Sequence, residues 1–280
     1  MAEELEHVVG GDTDAALKAG AATGEPKQAG NQPGTYAVVP EGYKVESLQH
    51  LQLAPAIIHE KRQLADLTSF LSYVERFGDN ETTVYADPES SRLVAILDHP
   101  GAGNPRWEIH KANYDCPLSR SWLAWTKRDS DWMPQDEFAE HIENNLPDIL
   151  VPSEHQNAPS GADMLEIART LQAKREANFR SGVRLENGDF QISYQEETQG
   201  SAGMNGQLEI PEAFYLGLPV YKNGDHYQVK ARLRYRIREG VLRMRYELYR
   251  PEDIKDQSFE DVVQTVRDHT TKAHVLLGRP

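Results

Sequence analysis

The densest set of chemically active side chains in this sequence is a group of seven cations. Lys230, Arg232, Arg234, Arg236 and Arg238 occupy every second position and alternate with Ala231, Leu233, Tyr235 and Ile237. A period of two is that of a β-strand, so the five charges share one face. After a short turn through Glu239 and Gly240 the alternation resumes, with Arg243 and Arg245 set among Leu242, Met244, Tyr246 and Leu248. A hairpin would bring all seven cations together. Glu247 is the only acid in residues 241–250, and like charges facing each other across a hairpin destabilise it. The chemistry open to this pattern is recognition of an anion, either the phosphates of a nucleic acid or nucleotide, or carboxylates of another strand or subunit. The plainer alternative is a solvated outer face, since antiparallel sheets commonly bury one face and expose the other.

Catalytic patterns are sparser. His99, His110, Asp115 and Cys116 form the closest gathering of reactive groups, and a thiolate beside an imidazole is an activated nucleophile. Their spacing matches no signature, however, and Cys116 precedes Pro117 at the end of a predicted strand, the ordinary setting of a structural thiol. Glu137 and His141 stand one helical turn apart with Glu140 between them, yet a metal site needs three or four ligands and no His-Glu-x-x-His helix is present. Gly101-Ala102-Gly103 is too short for a phosphate-cradling loop and runs into Pro105. No catalytic residue, metal ligand or cofactor is therefore assigned. Trp107, Trp122, Trp125 and Trp132 could offer stacking platforms to bases, but such a cluster more often builds core or interface.

Composition sets the class. The chain has 280 residues and a net charge of -14, a mean hydropathy of -0.66 and no apolar run approaching the ~20 residues of a membrane helix. Glu3, Glu4 and Glu6 stand where a secretory signal would be positive. A single cysteine excludes an internal disulfide and fits a reducing compartment. A cytoplasmic protein of a bacterial host cell, without membrane contact, is the expectation. Bulk coating of nucleic acid is excluded by the acidic balance, and acids and bases are too interspersed for mimicry of DNA, which leaves local patches as the means of contact.

The elements that must position these residues follow from periodicity and punctuation. Residues 1–35, rich in Ala, Gly, Gln, Thr and Pro, read as a flexible, disordered tail with a short helix around 14–18. A helix is predicted over 59–77, ended by Gly78. A meander of strands follows at 82–86, 92–97 and 106–113. Helices are predicted over 119–127 and from Pro134 to about 146. Residues 151–161 read as a linker, and a helix is expected over 162–177. A second sheet then opens on an Asn187-Gly188 hairpin turn, passes a flexible stretch at 199–206 and a strand carrying Phe214, Leu216, Leu218 and Val220, and turns at Asn223-Gly224 into the basic ribbon. A closing helix is expected over 256–271. The predicted class is α+β, with antiparallel meanders and hairpins packed on helices, a tail (1–35) and two sub-domains (36–152 and 160–280).

Several motifs carry a resemblance. They are Trp107-Glu108-Ile109-His110 with Tyr114, Pro117-Leu118-Ser119 with Trp122 and Trp125, Gln135-Asp136-Glu137-Phe138-Ala139 with Ile142-Glu143, Leu185-Glu186-Asn187-Gly188, and Arg232-Leu233-Arg234-Tyr235-Arg236 with Arg250-Pro251. Over residues 45–280 the chain resembles the YfdQ-like family of phage and prophage proteins. The resemblance implies a temperate-phage context and brings no catalytic residue across. The resulting expectation is a non-enzymatic accessory factor that forms a homo-oligomer and binds nucleic acid through the basic hairpin. A structural assembly protein with arginine-mediated subunit contacts is the alternative, and a hydrolase or nucleotide-modifying enzyme is third.

Overall fold

A computed structural model describes residues 27–28, 35–36, 53–54, 57–184, 190–201, 210–238 and 241–280; residues 27–28, 35–36, 172–184, 190–201 and 238 are described at the level of their strands. The chain divides into two units, 1–58 and 59–280. In the first unit β1 (Lys27–Gln28) pairs antiparallel with β2 (Thr35–Tyr36). The rest of the tail expected over 1–35, with its helix at 14–18, lies outside the described residues, as do the Asn187-Gly188 turn, most of the 199–206 stretch and the turn at 239–240.

The second unit begins with β3 (Lys61–Leu64), α1 (Leu67–Phe77), β4 (Thr83–Asp87), β5 (Arg92–Ile96), β6 (Lys111–Asp115), α2 (Arg120–Lys127), β7 (Met133–Pro134) and α3 (Gln135–Asn144). It continues through β8 (Ile149–Leu150), α4 (Gly161–Thr170), β9 (Gln172–Arg184), β10 (Phe190–Ser201), β11 (Ala213–Pro219), β12 (His226–Arg238), β13 (Val241–Leu248), α5 (Pro251–His269) and β14 (His274–Leu277). The class is α+β, as the periodicities imply. One five-stranded sheet has the order β14-β4-β5-β6-β3, and a second has the order β7-β13-β12-β11-β8. The first contains the expected antiparallel meander, with parallel strands β14 and β3 added at its edges. The second is antiparallel throughout. Strands β9 and β10 form a separate antiparallel pair.

Several boundaries differ from the sequence expectation, each for a local reason. The helix expected over 59–77 starts only at Leu67, because the Asp66 carboxylate accepts the Ser69 amide at 2.7 Å and fixes the N-terminus there. Residues 61–64 instead extend β6 in parallel. Helix α1 ends where expected: the Gly78 amide donates to Val74 O at 2.7 Å, and a Cβ at Gly78 would lie 2.5 Å from that oxygen. The third meander strand starts at Lys111 rather than 106, since Asp98 accepts the amides of Ile109 and His110 and holds that approach as a loop. Helix α4, with a Ser160–Asp163 capping box, stops at Thr170, and the chain continues as a strand. Helix α5 starts at Pro251, earlier than expected, with proline at its first helical position.

The sheets meet at one seam. Ser119 caps α2 by accepting the Trp122 amide at 3.0 Å, and its hydroxyl donates to Pro219 O at the end of β11. Its own amide donates to Val220 O, Lys222 donates to Pro117 O, and the buried Tyr221 hydroxyl reaches Ser91 Oγ in the β4–β5 turn region at 2.9 Å. Across this seam runs one continuous apolar core, from Phe70, Val84 and Leu93 on one side to Trp125, Phe138, Phe214 and Tyr246 on the other. Strands β11, β12 and β13 commit one face to it: Phe214, Leu216 and Leu218; Val229, Ala231 and Leu233; Met244, Tyr246 and Leu248. Alternation therefore sends the intervening residues to the opposite face.

Candidate anion-binding face

The register of β12 against β13 is set by apolar pairs such as Leu233 with Tyr246 and Tyr235 with Met244. A one-residue slip would move every arginine into the core, so burial of the apolar set fixes where the charges stand. Arg232 faces Glu247, Arg234 faces Arg245, and Arg236 faces Arg243. Lys230 continues the row beside Tyr215 of β11. Lys230, Arg232, Arg234, Arg236, Arg243 and Arg245 thus occupy one sheet face, and the backbone register puts Arg238 on the same side, opposite Val241. Among the described residues of this face on β12 and β13, seven cations, Arg238 by its register alone, stand against one carboxylate. From Lys230 to Arg236 the row spans about 20 Å at the rise of an extended strand.

Two devices hold these like charges side by side. Glu247 lies 3.5 Å from Arg234 Nε and also pairs with Arg245. Trp132, beside the short strand β7, lies under two guanidinium groups: Arg236 Cζ is 3.9 Å and Arg245 Cζ 4.5 Å from the ring centroid. Arg232 stands 5.2 Å above the Tyr249 ring. Each such contact is worth about 0.5–2 kcal/mol and orients the planar guanidinium. Arg245 Nε is buried there without a hydrogen-bond partner, while Lys230, Arg232 and Arg234 remain exposed. A partly preorganised cation row of this kind suits phosphate oxygens, which guanidinium forks match in geometry.

At the Lys230 end, the His155 ring stacks on Tyr215 with centroids 4.7 Å apart and 11° between planes. Both residues line a cavity of about 630 Å³ formed by residues 153–159, Pro211, Glu212, Ala213 and Lys230. The sequence reading missed His155 and Tyr215 because they lie 60 residues apart and are joined only by the pairing of β8 with β11. It also left Trp132 undistinguished from the other tryptophans. Trp122 and Trp125 are core residues and Trp107 is exposed on the loop before β6; the Met133–Met244 pairing alone sends Trp132 to the arginine side.

The other reactive groups are dispersed. His110 precedes β6 and Cys116 follows it, so about 20 Å of strand separates them. His110 Nε2 meets the Tyr73 hydroxyl at 2.9 Å, and burial pushes its pKa down. His99 meets Tyr85 at 3.1 Å, and Asp115 pairs with Arg92 and Gln63. Cys116 is buried, and loss of solvation pushes its thiol up to about 12, far from a thiolate at neutral pH. Glu137 is bound by Arg128 at 2.5 Å, while the His141 ring lies edge-on to Trp125 at 4.9 Å and stacks against Tyr246 at 5.5 Å. Among the described residues no cluster of three or more His, Cys, Asp or Glu could hold a metal ion, and no helix is long and apolar enough to cross a membrane.

Comparison with protein families places the chain. Residues 11–280 match the model of a family described as uncharacterized conserved protein (DUF2303), and the chain belongs to that family. No curated protein and no solved structure matches it.

Proposed function

We propose that this protein is a non-enzymatic, self-associating nucleic-acid-binding factor, in the phage or prophage context that its resemblance to YfdQ-like proteins implies. The observation that carries the reading is the β12–β13 register, which sets cation against cation in two successive pairs on an outer face where the described residues of these two strands supply one acid. In a chain of net charge -14 such a surplus is maintained against its own repulsion, and phosphates are the partner that relieves it. Self-association is supported by β14, whose Leu276 and Leu277 are 48% and 64% exposed on a strand paired, among the described residues, only with β4. An open strand edge of this kind is a template for another chain.

The test is salt-dependent binding. Wild-type affinity for DNA or RNA should fall by roughly two to three orders of magnitude between 50 and 200 mM salt for about five phosphate contacts. Replacing Arg232, Arg234 and Arg236 by Gln should weaken binding and flatten that slope, while Cys116→Ser should leave binding unchanged. The native mass and the ratio of absorbance at 260 and 280 nm report assembly and co-purified nucleic acid together. A second reading has its own support: Glu89, Asp256, Glu260 and Asp261 line a groove of about 690 Å³ beside α5, a complement for arginines of another copy. Under that reading the triple variant dissociates the assembly, and the wild type shows no salt-dependent binding of nucleic acid.

A further inference from the structure

We infer that the cavity beside His155 receives an unpaired nucleobase, so that the ligand of the arginine face is single-stranded nucleic acid. The inference rests on the nucleic-acid reading above and adds a site to it. Lys230 belongs to both features: it begins the cation row along β12 and lines the cavity. The next same-face residue, Arg232, stands about 7 Å further along the strand. A backbone tracking the row therefore passes the cavity within one nucleotide's reach. Inside, one face of the His155 imidazole is seated on Tyr215. Tyr215 is only 9% exposed beneath it, whereas His155 itself is exposed. The imidazole is thus a ring platform already held in orientation, and a base can stack on it without first paying to order the side chain.

The polar lining separates a base from a phosphate. Glu154 and Glu212 border the cavity and would repel a phosphate, but carboxylates accept hydrogen bonds from the exocyclic amino groups of bases. Asn157 adds both donor and acceptor capacity. At the Arg236 end the Trp132 ring already carries the Arg236 and Arg245 guanidinium groups, so the ring offered to a base is His155. Cations along the backbone with aromatic platforms for splayed bases are the two components of single-strand binding, and a duplex cannot offer an unstacked base without opening.

The experiment is fluorescence anisotropy with the full chain, at 50 mM salt, using one labelled 20-nucleotide single strand and the duplex of the same sequence. The expected result is at least tenfold tighter binding of the single strand. His155→Ala should lower single-strand affinity about tenfold and leave duplex affinity unchanged, and His155→Phe, which keeps a ring on Tyr215, should restore it. Equal affinity for the two forms, or no effect of His155→Ala, overturns the base pocket. If in that case the Arg232, Arg234 and Arg236 variant still loses binding and salt slope, the arginine face stands without the pocket. Binding of neither form overturns both readings.

Discussion

The two five-stranded sheets share a plan, each turning one face to the common core and the other outward, but their outer faces treat charge differently. On the first sheet Lys61 stands beside Lys111, but the arginines have acids as neighbours. Arg92 Nε lies 3.1 Å from Asp115 on the adjacent strand, an ion pair without hydrogen-bond alignment. Arg279, just past β14, reaches Asp87 at 2.7 Å and Glu89 at 2.5 Å. On the second sheet Arg234 faces Arg245 and Arg236 faces Arg243, with an indole and one carboxylate among them. Arg92 and Arg279 each have a carboxylate of their own within the chain. On the second sheet, the described residues of β12 and β13 offer one carboxylate to several arginines, and that difference, rather than the number of arginines, is why the second face is the one proposed to take a ligand.

The largest expected effect tests whether the sheets are comparable at all. Phe70 packs under the first sheet and Phe214 lies on the second, both fully buried in the shared cluster. Phe70→Ala and Phe214→Ala should each lower stability by about 3–5 kcal/mol. Because the core is continuous, each should shift a single cooperative unfolding transition of residues 59–280, followed by circular dichroism during chemical denaturation. Two separated transitions, each responding to one variant, would break the comparison by making the sheets independent domains.

Much of this arrangement was legible in the sequence, and the gaps have physical causes. The alternation at residues 230–238 is strong because each arginine has an apolar neighbour committed to the core, and the strand, its face and its hairpin followed from that. Edge strands were not visible. Lys61–Leu64 and His274–Leu277 are four residues each, their burial patterns show no alternation, and both are recruited by strands distant in sequence. The 162–177 helix was overextended because Ala173, Lys174, Arg175 and Glu176 are strong helix formers, a local preference that the strand over 172–184 overrides. The aromatic partners of the site stayed hidden since their proximity depends on strand pairing rather than spacing.

The next effect sharpens the contrast through the one acid on the basic face. Glu247→Gln removes the carboxylate that Arg234 and Arg245 share. Stability should fall by about 1–2 kcal/mol, while affinity for nucleic acid should rise severalfold at 50 mM salt, as the face gains net positive charge. Opposite signs of the two changes are the diagnostic. If affinity falls along with stability, Glu247 positions the arginines for the ligand, and charge surplus is not what drives binding.

A smaller effect concerns acid. His141 is half-buried against the core residues Trp125 and Tyr246; burial, followed by the nearby Arg128 charge, pushes its pKa below the ordinary 6.5, with Asp148 and Glu137 opposing. An imidazole depressed in the folded state leaves stability intact above the unfolded pKa. Stability is then lost as pH falls from about 6.5 toward the folded pKa, because the unfolded chain takes up the proton first. His110, beside the first sheet, is shifted in the same direction. Each contributes a slope of at most about 1.4 kcal/mol per pH unit in that window. His141→Phe should remove one part of the acid slope in denaturation measured between pH 7 and 5, leaving the part due to His110. An unchanged slope would show that His141 does not titrate differently on folding.

The smallest effect is the control on which the contrast between the outer faces depends. Arg92 and Asp115 are 43% and 61% exposed, so solvent screens their attraction and Arg92→Gln should change stability by no more than about 0.5 kcal/mol. The same substitution at Arg234, on the other sheet, removes an equal charge from a face where it has no equivalent carboxylate of its own. If location decides function, Arg92→Gln leaves both the affinity for nucleic acid and its salt slope unchanged, while Arg234→Gln lowers affinity and reduces the slope by about one. Equal losses from the two substitutions would mean that binding follows the total charge of the chain. With a chain carrying -14 that outcome would require diffuse attraction between like-charged partners, and the arginine ribbon would then be no more a site than the paired face it is contrasted with.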